Sequence, residues 1–263
     1  KDGTVIHAKK AVVSNADPFI TKKLLQRAKE QNGETMDPIN NYMDQMTNTN
    51  TDDNGIENLR SFIHIHAAID ASGLPELPSA DFPAQWAVVR DWDIGVEAPR
   101  NIVLCSMPSL IDDTMAPEGT HVLHAYVPAT EPYSEWAVYK NDRKNPEYLK
   151  KKEEAADFLW SAIENYVPNA RGRVIEGTVQ IGTPLTHERF LRRTDGAYGP
   201  RVQAGKQTLP GHKTPLEGLN LCGDYTFPGI GVPATSASGA IAANNLLSVT
   251  EHWAMLDKIN LPE

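Results

Sequence analysis

Cysteine is scarce in this sequence, and long apolar runs are absent from it. The 263 residues contain two cysteines, Cys105 and Cys222. That number excludes a disulfide-stabilised scaffold, because such scaffolds need far more cysteine in a much shorter chain. Both cysteines lie inside apolar runs, which predicts a pair of buried thiols in strands. No stretch approaches the roughly 20 apolar residues of a membrane-spanning helix.

Basic residues are also outnumbered by acidic residues, 25 to 34. The formal net charge is -9, which argues against nucleic acid as a partner because no basic stripe is available to neutralise phosphates. The densest basic run, 150–152, is followed at once by Glu153 and Glu154, a pattern typical of a solvated helix face. Hydrophobic residues make up 40% of the chain, so it can bury a sizeable core in one large domain or two modest ones.

The sequence shows no pattern typical of a metal site or of nucleophilic catalysis. His64 and His66 share one face of a predicted strand, and His121 and His124 lie in another. A metal site needs three convergent ligands with supporting groups, and no cysteine or carboxylate stands at matching spacing. We therefore predict no metal site and interpret these residues as half-buried sheet histidines. No Ser/His/Asp or Cys/His signature is present, so the sequence assigns no catalytic residue.

Apolar periodicity and turn residues predict the secondary structure. The chain opens in the middle of an apparent β-hairpin over residues 1–16, so we expect it to be part of a longer protein. A short helix is predicted over 21–28. The polar residues 30–57 that follow predict a surface insert that contributes little to the core. Further strands are predicted at 62–69, 85–90, 101–107, 121–127, 174–181 and 219–223, and helices at 148–167 and 232–248. Strands at this spacing indicate an antiparallel or mixed sheet within an α/β fold.

The most informative stretch is 218–247, which begins with a short buried strand. That strand delivers Gly223 and Asp224 at its C-terminal end, where α/β folds place ligand-binding groups. Because Gly223 has no side chain, a ligand can approach the backbone closely at this position. The Asp224 carboxylate would accept hydrogen bonds from ligand hydroxyls, such as those of a ribityl chain.

A Gly/Pro loop then leads into a helix that opens with Val232, Pro233 and Ala234. A helix N-terminus offers free N–H groups and a partial positive charge, which favours pyrophosphate or the electron-rich edge of a reduced flavin. Gly229-x-Gly231-x-x-Ala234 also fits a dinucleotide pattern by spacing, but residues 224–228 separate it from the strand. We therefore interpret the segment as one wall of a cofactor site. The alternative is a turn that caps a core helix.

This stretch resembles the C-terminal flavin motif of the carotenoid isomerases, FAD enzymes related to the phytoene desaturases and, more distantly, to the amine oxidases. The similarity extends over nearly the whole chain. Further matching segments lie at 11–16, 101–108, 116–121, 124–126, 182–193 and 196–200.

The resemblance implies a discontinuous FAD-binding, Rossmann-like domain and a substrate domain built on a mixed sheet. Residues 1–27 and 205–263 would belong to the FAD domain, and residues 28–204 to the substrate domain. It also implies that flavin and ribityl contacts come from Gly223, Asp224, Gly231, Val232, Pro233 and Ala234. The main dinucleotide fingerprint is expected outside this chain, in an N-terminal half.

The function implied by the resemblance is FAD-dependent cis–trans isomerisation of a carotenoid, or a desaturase-like oxidation of the same kind of polyene. The run 222–234 favours the isomerase. A plastid location follows, in the chloroplast, soluble or in peripheral contact with the thylakoid membrane. One alternative is a catalytically silent homologue that serves as a structural subunit of a larger photosynthetic membrane assembly. Another is a carotenoid-binding protein without turnover.

Two further expectations concern partners and charge. Without its first strands the FAD-domain sheet would have an open edge, which the missing N-terminal half or a second chain must cover.

The run His187-Glu188-Arg189, with Arg192 and Arg193, fits an acid/base or charge clamp near the flavin. It fits equally well a salt-linked stretch that ties the two domains together.

Overall fold

The computed structural model describes residues 4–32, 37–47, 60–199 and 208–259. The chain divides into two compact units, each described here by itself. A central unit spans Leu59–Tyr198, and a discontinuous unit combines Lys1–Asn58 with Gly199–Glu263. Which of the two serves the cofactor and which the substrate stays a prediction.

The described residues combine α-helices with open β-sheets, which is consistent with the predicted α/β class. The strands are β1 (Val12–Ser14), β2 (Arg60–Ser61), β3 (His64–Asp70), β4 (Gln85–Val89), β5 (Ile102–Ser106), β6 (Thr120–Tyr126), β7 (Glu131–Pro132), β8 (Gln180–Gly182) and β9 (Leu219–Leu221). The α-helices are α1 (Pro18–Asn32), α2 (Asp37–Met46), α3 (Ser134–Ala137), α4 (Pro146–Ile163), α5 (Pro184–Leu191), α6 (Val232–Asn244) and α7 (Val249–Leu256). Short 3₁₀ turns lie at Pro108–Leu110, Asp113–Met115, Arg171–Arg173 and Thr194–Gly196.

The central unit is built on a five-stranded sheet in the order β4-β5-β6-β3-β8. All of its described strand pairs are antiparallel, so the sheet is not mixed. The predicted strand at 174–181 is wrong over most of its length. Val174 forms only an isolated bridge with Ile69, and regular pairing begins at β8.

Helix α4 covers one face of this sheet. It begins at Pro146, where the Asn145 side chain accepts a hydrogen bond of 2.9 Å from the Glu147 N–H and so caps the helix. Its buried face, which includes Leu159 and Ile163, packs on β3, β5 and β6. The opposite face of β3 and β6 carries the polar and aromatic side chains of those strands.

One carboxylate is completely buried in the central unit. Glu131 in β7 is 0% exposed and receives two hydrogen bonds from Arg100, at 2.7 and 3.1 Å. The indole Nε1 of Trp136, in α3, donates a third at 2.6 Å. A buried charge is tolerated only when it is paired and hydrogen-bonded. Glu131 therefore ties α3 to the loop before β5.

The discontinuous unit contains a two-stranded parallel sheet, in which β1 pairs with β9. The predicted hairpin is therefore wrong in residues 4–14. Residues 4–8 form no strand, because the hydrogen bonds of β1 go to a segment about two hundred residues further along the chain. Residues 1–3 of the predicted hairpin lie outside the described residues.

The polar insert over 30–57 contributes to the core, contrary to the sequence prediction. Ile39 and Met43 lie one helical turn apart on α2 and are 2% and 1% exposed. They pack against Leu219 and Leu221 of β9. The sparse apolar residues of this stretch therefore gather on one face of a helix. Residues 33–36 and 48–57 of the insert lie outside the described residues.

The C-terminal helix predicted at 232–248 is interrupted. Helix α6 ends at Asn244, and α7 begins after Ser248, which forms a capping box with Glu251. Cys105 is a buried free thiol as predicted, whereas the Cys222 thiol is free and half-buried. Among the residues described, no helix combines the length and apolar character needed to cross a membrane.

Candidate flavin-binding segment

Strand β9 positions the first half of the predicted site. Its three residues are buried, and its partner β1 runs in register with Ser14 beside Leu221. The next residues therefore leave the sheet at the C-terminal edge of a parallel strand pair, where α/β folds bind ligands. Gly223 lies here with a φ of 114°, a conformation that L side chains rarely adopt.

Gly223 also lies against the end of β1. A Cβ atom added at Gly223 would be 2.9 Å from Nδ2 of Asn15. The Asn15 amide itself donates to the Cys222 carbonyl oxygen at 3.4 Å. Glycine at position 223 is therefore favoured by its backbone conformation, and a larger residue would also displace the end of the Asn15 side chain.

The second half of the predicted site is the start of α6. Gly231 precedes the helix with a φ of 99°, and a Cβ there would meet no atom within 4 Å. Pro233 occupies the first turn, and no side chain caps this end of the helix. The first helical bond runs from the Thr235 N–H to the Gly231 carbonyl at 2.9 Å. The open N-terminus of α6 therefore directs backbone N–H groups and the positive end of its dipole toward free space.

Two buried hydroxyls join the halves. Ser238 Oγ accepts a 3.0 Å hydrogen bond from the Gly223 N–H and lies 2.6 Å from Thr226 Oγ1. Thr226 in turn donates to the Gly223 carbonyl oxygen at 3.0 Å. Both side chains are 1% exposed. The turn after β9 is thus fastened to the second turn of α6, and this contact brings Asp224 and Gly231 into one local structure.

Sequence reasoning missed Thr226, Ser238 and Asn15 as parts of this site. The available signal was a pair of hydroxyl residues on either side of a Gly/Pro loop. Asn15 gave no such signal, because its contact depends on a long-range strand pairing.

Replacing Ser238 with Ala is expected to lower the free energy of unfolding by about 2 kcal/mol, because the Gly223 N–H loses its buried acceptor. Urea denaturation monitored by circular dichroism measures the change. Ser236→Ala is the matched control, since Ser236 is an exposed residue on the same helix; it should change the stability by less than about 0.5 kcal/mol. Equal effects of the two substitutions would contradict the role given to Ser238.

The surface around the start of α6 is apolar. Val232 is 80% exposed, Phe227 59% and Ile230 42%. Asp224 is half-buried beside them, and Tyr225 is buried. This combination of one carboxylate, an uncapped helix start and exposed apolar side chains fits a flavin. The ribityl hydroxyls would meet Asp224, and the ring edge would meet the N–H groups of α6.

The charged run near α5 makes contacts within the central unit. Glu188 accepts hydrogen bonds from the Tyr133 hydroxyl at 2.9 Å and from Lys140. Burial, followed by the hydrogen bond to Glu188 and its negative charge, raises the pKa of Tyr133 to about 12, although Lys140 acts in the opposite direction. The Glu188 carboxylate is therefore engaged in local structure. A role for the run near the flavin stays a prediction.

Comparison with known proteins decides the family. The chain is 33% identical over 190 residues, 71% of its length, to the chloroplastic prolycopene isomerase of Daucus carota. The chain belongs to the carotenoid isomerase-like oxidoreductases. This confirms the resemblance seen in the sequence. The carotenoid isomerase-like chain spans 29% of the carrot protein.

Other comparisons give lower similarity. The chain is 28% identical over 160 residues to pyridine nucleotide-disulfide oxidoreductase domain-containing protein 2 of Rattus norvegicus. The aligned region covers 56% of this chain and 25% of the rat protein. A solved oxidoreductase from Methanosarcina mazei covers 93% of the chain with a TM-score of 0.48 at 18% identity, and the chain covers 44% of it. No protein-family model matches the chain.

Proposed function

We propose that this protein is an FAD-dependent carotenoid cis–trans isomerase acting on a long polyene, with a desaturase-like oxidation as the alternative reaction of the same site. The observation that carries the proposal is the 33% identity to a prolycopene isomerase. It is supported by the local structure around Gly223 and Gly231, which fits a flavin.

Each feature of the segment has a role in this proposal. Bound flavin would supply reversible transfer of electrons or hydride to the polyene. Asp224 would hold the ribityl hydroxyls and so fix the orientation of the cofactor. The start of α6 would stabilise negative charge on the pyrimidine edge of the ring. Phe227, Ile230 and Val232 would exclude water and offer an apolar surface to a hydrocarbon that has no polar group to bind.

The location and partners are also proposals. The carrot relative is named chloroplastic, which supports a plastid location, with soluble or peripheral thylakoid association. Within the described residues β1 has a paired strand on one side only, and its Val12 and Val13 are 56% and 40% exposed. Such an edge favours further pairing. We propose that an N-terminal half or a second chain covers it.

The test is a turnover assay of the full-length protein with a cis-configured polyene such as prolycopene under anaerobic conditions. An isomerase yields a product of unchanged mass and altered absorbance, and a desaturase yields a product that has lost hydrogen. Bound polyene without turnover would indicate a binding protein. A protein that contains no flavin, binds no polyene and shows no turnover would favour the structural-subunit alternative.

Asp224→Ala in the full-length protein should weaken FAD binding about tenfold or more, as measured by titration with FAD. The reason is that a hydrogen-bonded carboxylate contributes roughly 1.5–3 kcal/mol to binding. Asp257→Ala is the matched control, since Asp257 is an exposed residue just after α7. The control should bind FAD as the unaltered protein does. Unchanged affinity in the Asp224 variant would remove this residue from the cofactor site.

A further inference from the structure

Three histidines converge on the face of the central sheet opposite α4. His66 in β3 is paired with His124 in the neighbouring strand β6, and His64 lies two residues before His66 on the same face. Each offers a ring nitrogen, and these nitrogens all lie within 4.8 Å of one another. The sequence predicted no metal site because no cysteine or carboxylate stood at matching spacing and His124 lay in a separate strand. The register between β3 and β6 supplies the third.

The rings are close and have no other polar partners. The rings of His66 and His124 are stacked with centroids 4.2 Å apart, and the His64 ring lies 5.0 Å from that of His66. Among the described residues, none of the three imidazoles forms a hydrogen bond. Three ring nitrogens without a hydrogen-bond partner among the described residues are thus available to one common ligand.

We propose that His64, His66 and His124 bind a divalent transition-metal ion of the Zn²⁺ class. Imidazole nitrogens suit Zn²⁺ and its neighbours in the first transition series. Nitrogen ligands of tetrahedral Zn²⁺ lie about 3.4 Å apart, so nitrogens up to 4.8 Å apart must approach by up to about 1.4 Å, which requires the side chains to rotate. The exposed His66 opens the cluster to solvent, and this leaves the fourth coordination position accessible.

Gly182 makes room for the cluster. It pairs with His64 across β3 and β8, and an added Cβ would overlap the His64 Nε2 atom. The His187 ring lies 4.8 Å from that of His64, but its nitrogens do not join the convergent set. Gly182 is therefore a positioning residue for His64.

The experiment is a metal titration of the chelator-treated full chain, with Zn²⁺ binding followed by calorimetry and Co²⁺ binding by visible absorption. We expect one ion per chain. His66→Ala and His124→Ala should weaken Zn²⁺ binding by more than the roughly 10–100-fold lost when outer-shell groups are changed. Gly182→Ala should weaken it as well, by displacing His64. His121→Gln is the matched control, because His121 lies in the same strand but pairs with Ser109 at 3.0 Å.

Imidazole ¹⁵N shifts of the unaltered chain identify the ligands even if a variant fails to fold. Zn²⁺-dependent shifts confined to three histidines, absent from the His66→Ala spectrum, would support the proposal. Zn²⁺ binding that persists in the His66 and His124 variants would overturn it. So would loss of binding in His121→Gln to the same extent, or no binding by the unaltered chain.

Discussion

Replacing Glu131 with Gln is expected to lower the free energy of unfolding by about 3 to 5 kcal/mol, because it leaves the Arg100 charge without its buried partner. The Glu131 side chain is 1% exposed and that of Arg100 26%. The carboxylate also accepts the 2.6 Å hydrogen bond from Trp136, which is itself 0% exposed. The substitution keeps the shape of the side chain, so the loss reports the charge and its hydrogen bonds and not a cavity.

A surface ion pair in the same unit provides the control. Asp157 and Arg171 form an equally short pair at 2.7 Å, but their side chains are 63% and 49% exposed. Asp157→Asn should therefore cost less than about 1 kcal/mol. Urea denaturation of both variants measures the difference. A Glu131→Gln protein within about 1 kcal/mol of the unaltered chain would show that this pair does not hold α3 in place.

Replacing Gly223 with Ala is expected to lower the free energy of unfolding by about 1 to 3 kcal/mol, mainly from backbone strain. The φ of 114° is unfavourable for alanine, and the new methyl group would lie 2.9 Å from Asn15 Nδ2. Either adjustment moves the turn that carries Asp224. We therefore expect the full-length variant to lose most of its FAD as well.

Two further variants separate strain from overpacking. Gly218→Ala introduces strain alone, since Gly218 has a φ of 79° but no atom within 4 Å of an added Cβ. It should cost about 1 to 3 kcal/mol and leave FAD content unchanged. Asn15→Ala combined with Gly223→Ala removes the clash and should recover part of the stability, a coupling that a double-mutant cycle measures. Equal stabilities of the single and double variants would contradict the close approach.

Local patterns predicted much of the fold, and long-range pairing accounts for most of what they missed. Helix α4 and strands β3 to β6 were predicted because their apolar residues recur at the period of the element they form. The hairpin at residues 4–14 was wrong because β1 pairs with β9, which no local pattern reveals. Helix α2 was missed because its two buried residues, Ile39 and Met43, are isolated in a polar stretch.

The candidate sites show the same limit. Gly223, Asp224 and Gly231 stood out because glycines and a carboxylate beside an apolar strand are unusual in local sequence. The hydrogen bonds of Ser238 did not, because they join residues that are fifteen positions apart. The histidine cluster could not be predicted either, since the pairing of His66 with His124 depends on strand register.

We propose that this chain supplies one wall of a flavin site. The most direct test is the FAD content of the purified full-length protein, measured from flavin absorbance and denatured-cofactor chromatography beside the protein concentration. We predict about one FAD per chain in the unaltered protein and in Gly218→Ala, and little in Gly223→Ala. A folded unaltered protein without flavin, or a Gly223→Ala protein that keeps all of it, would contradict the claim.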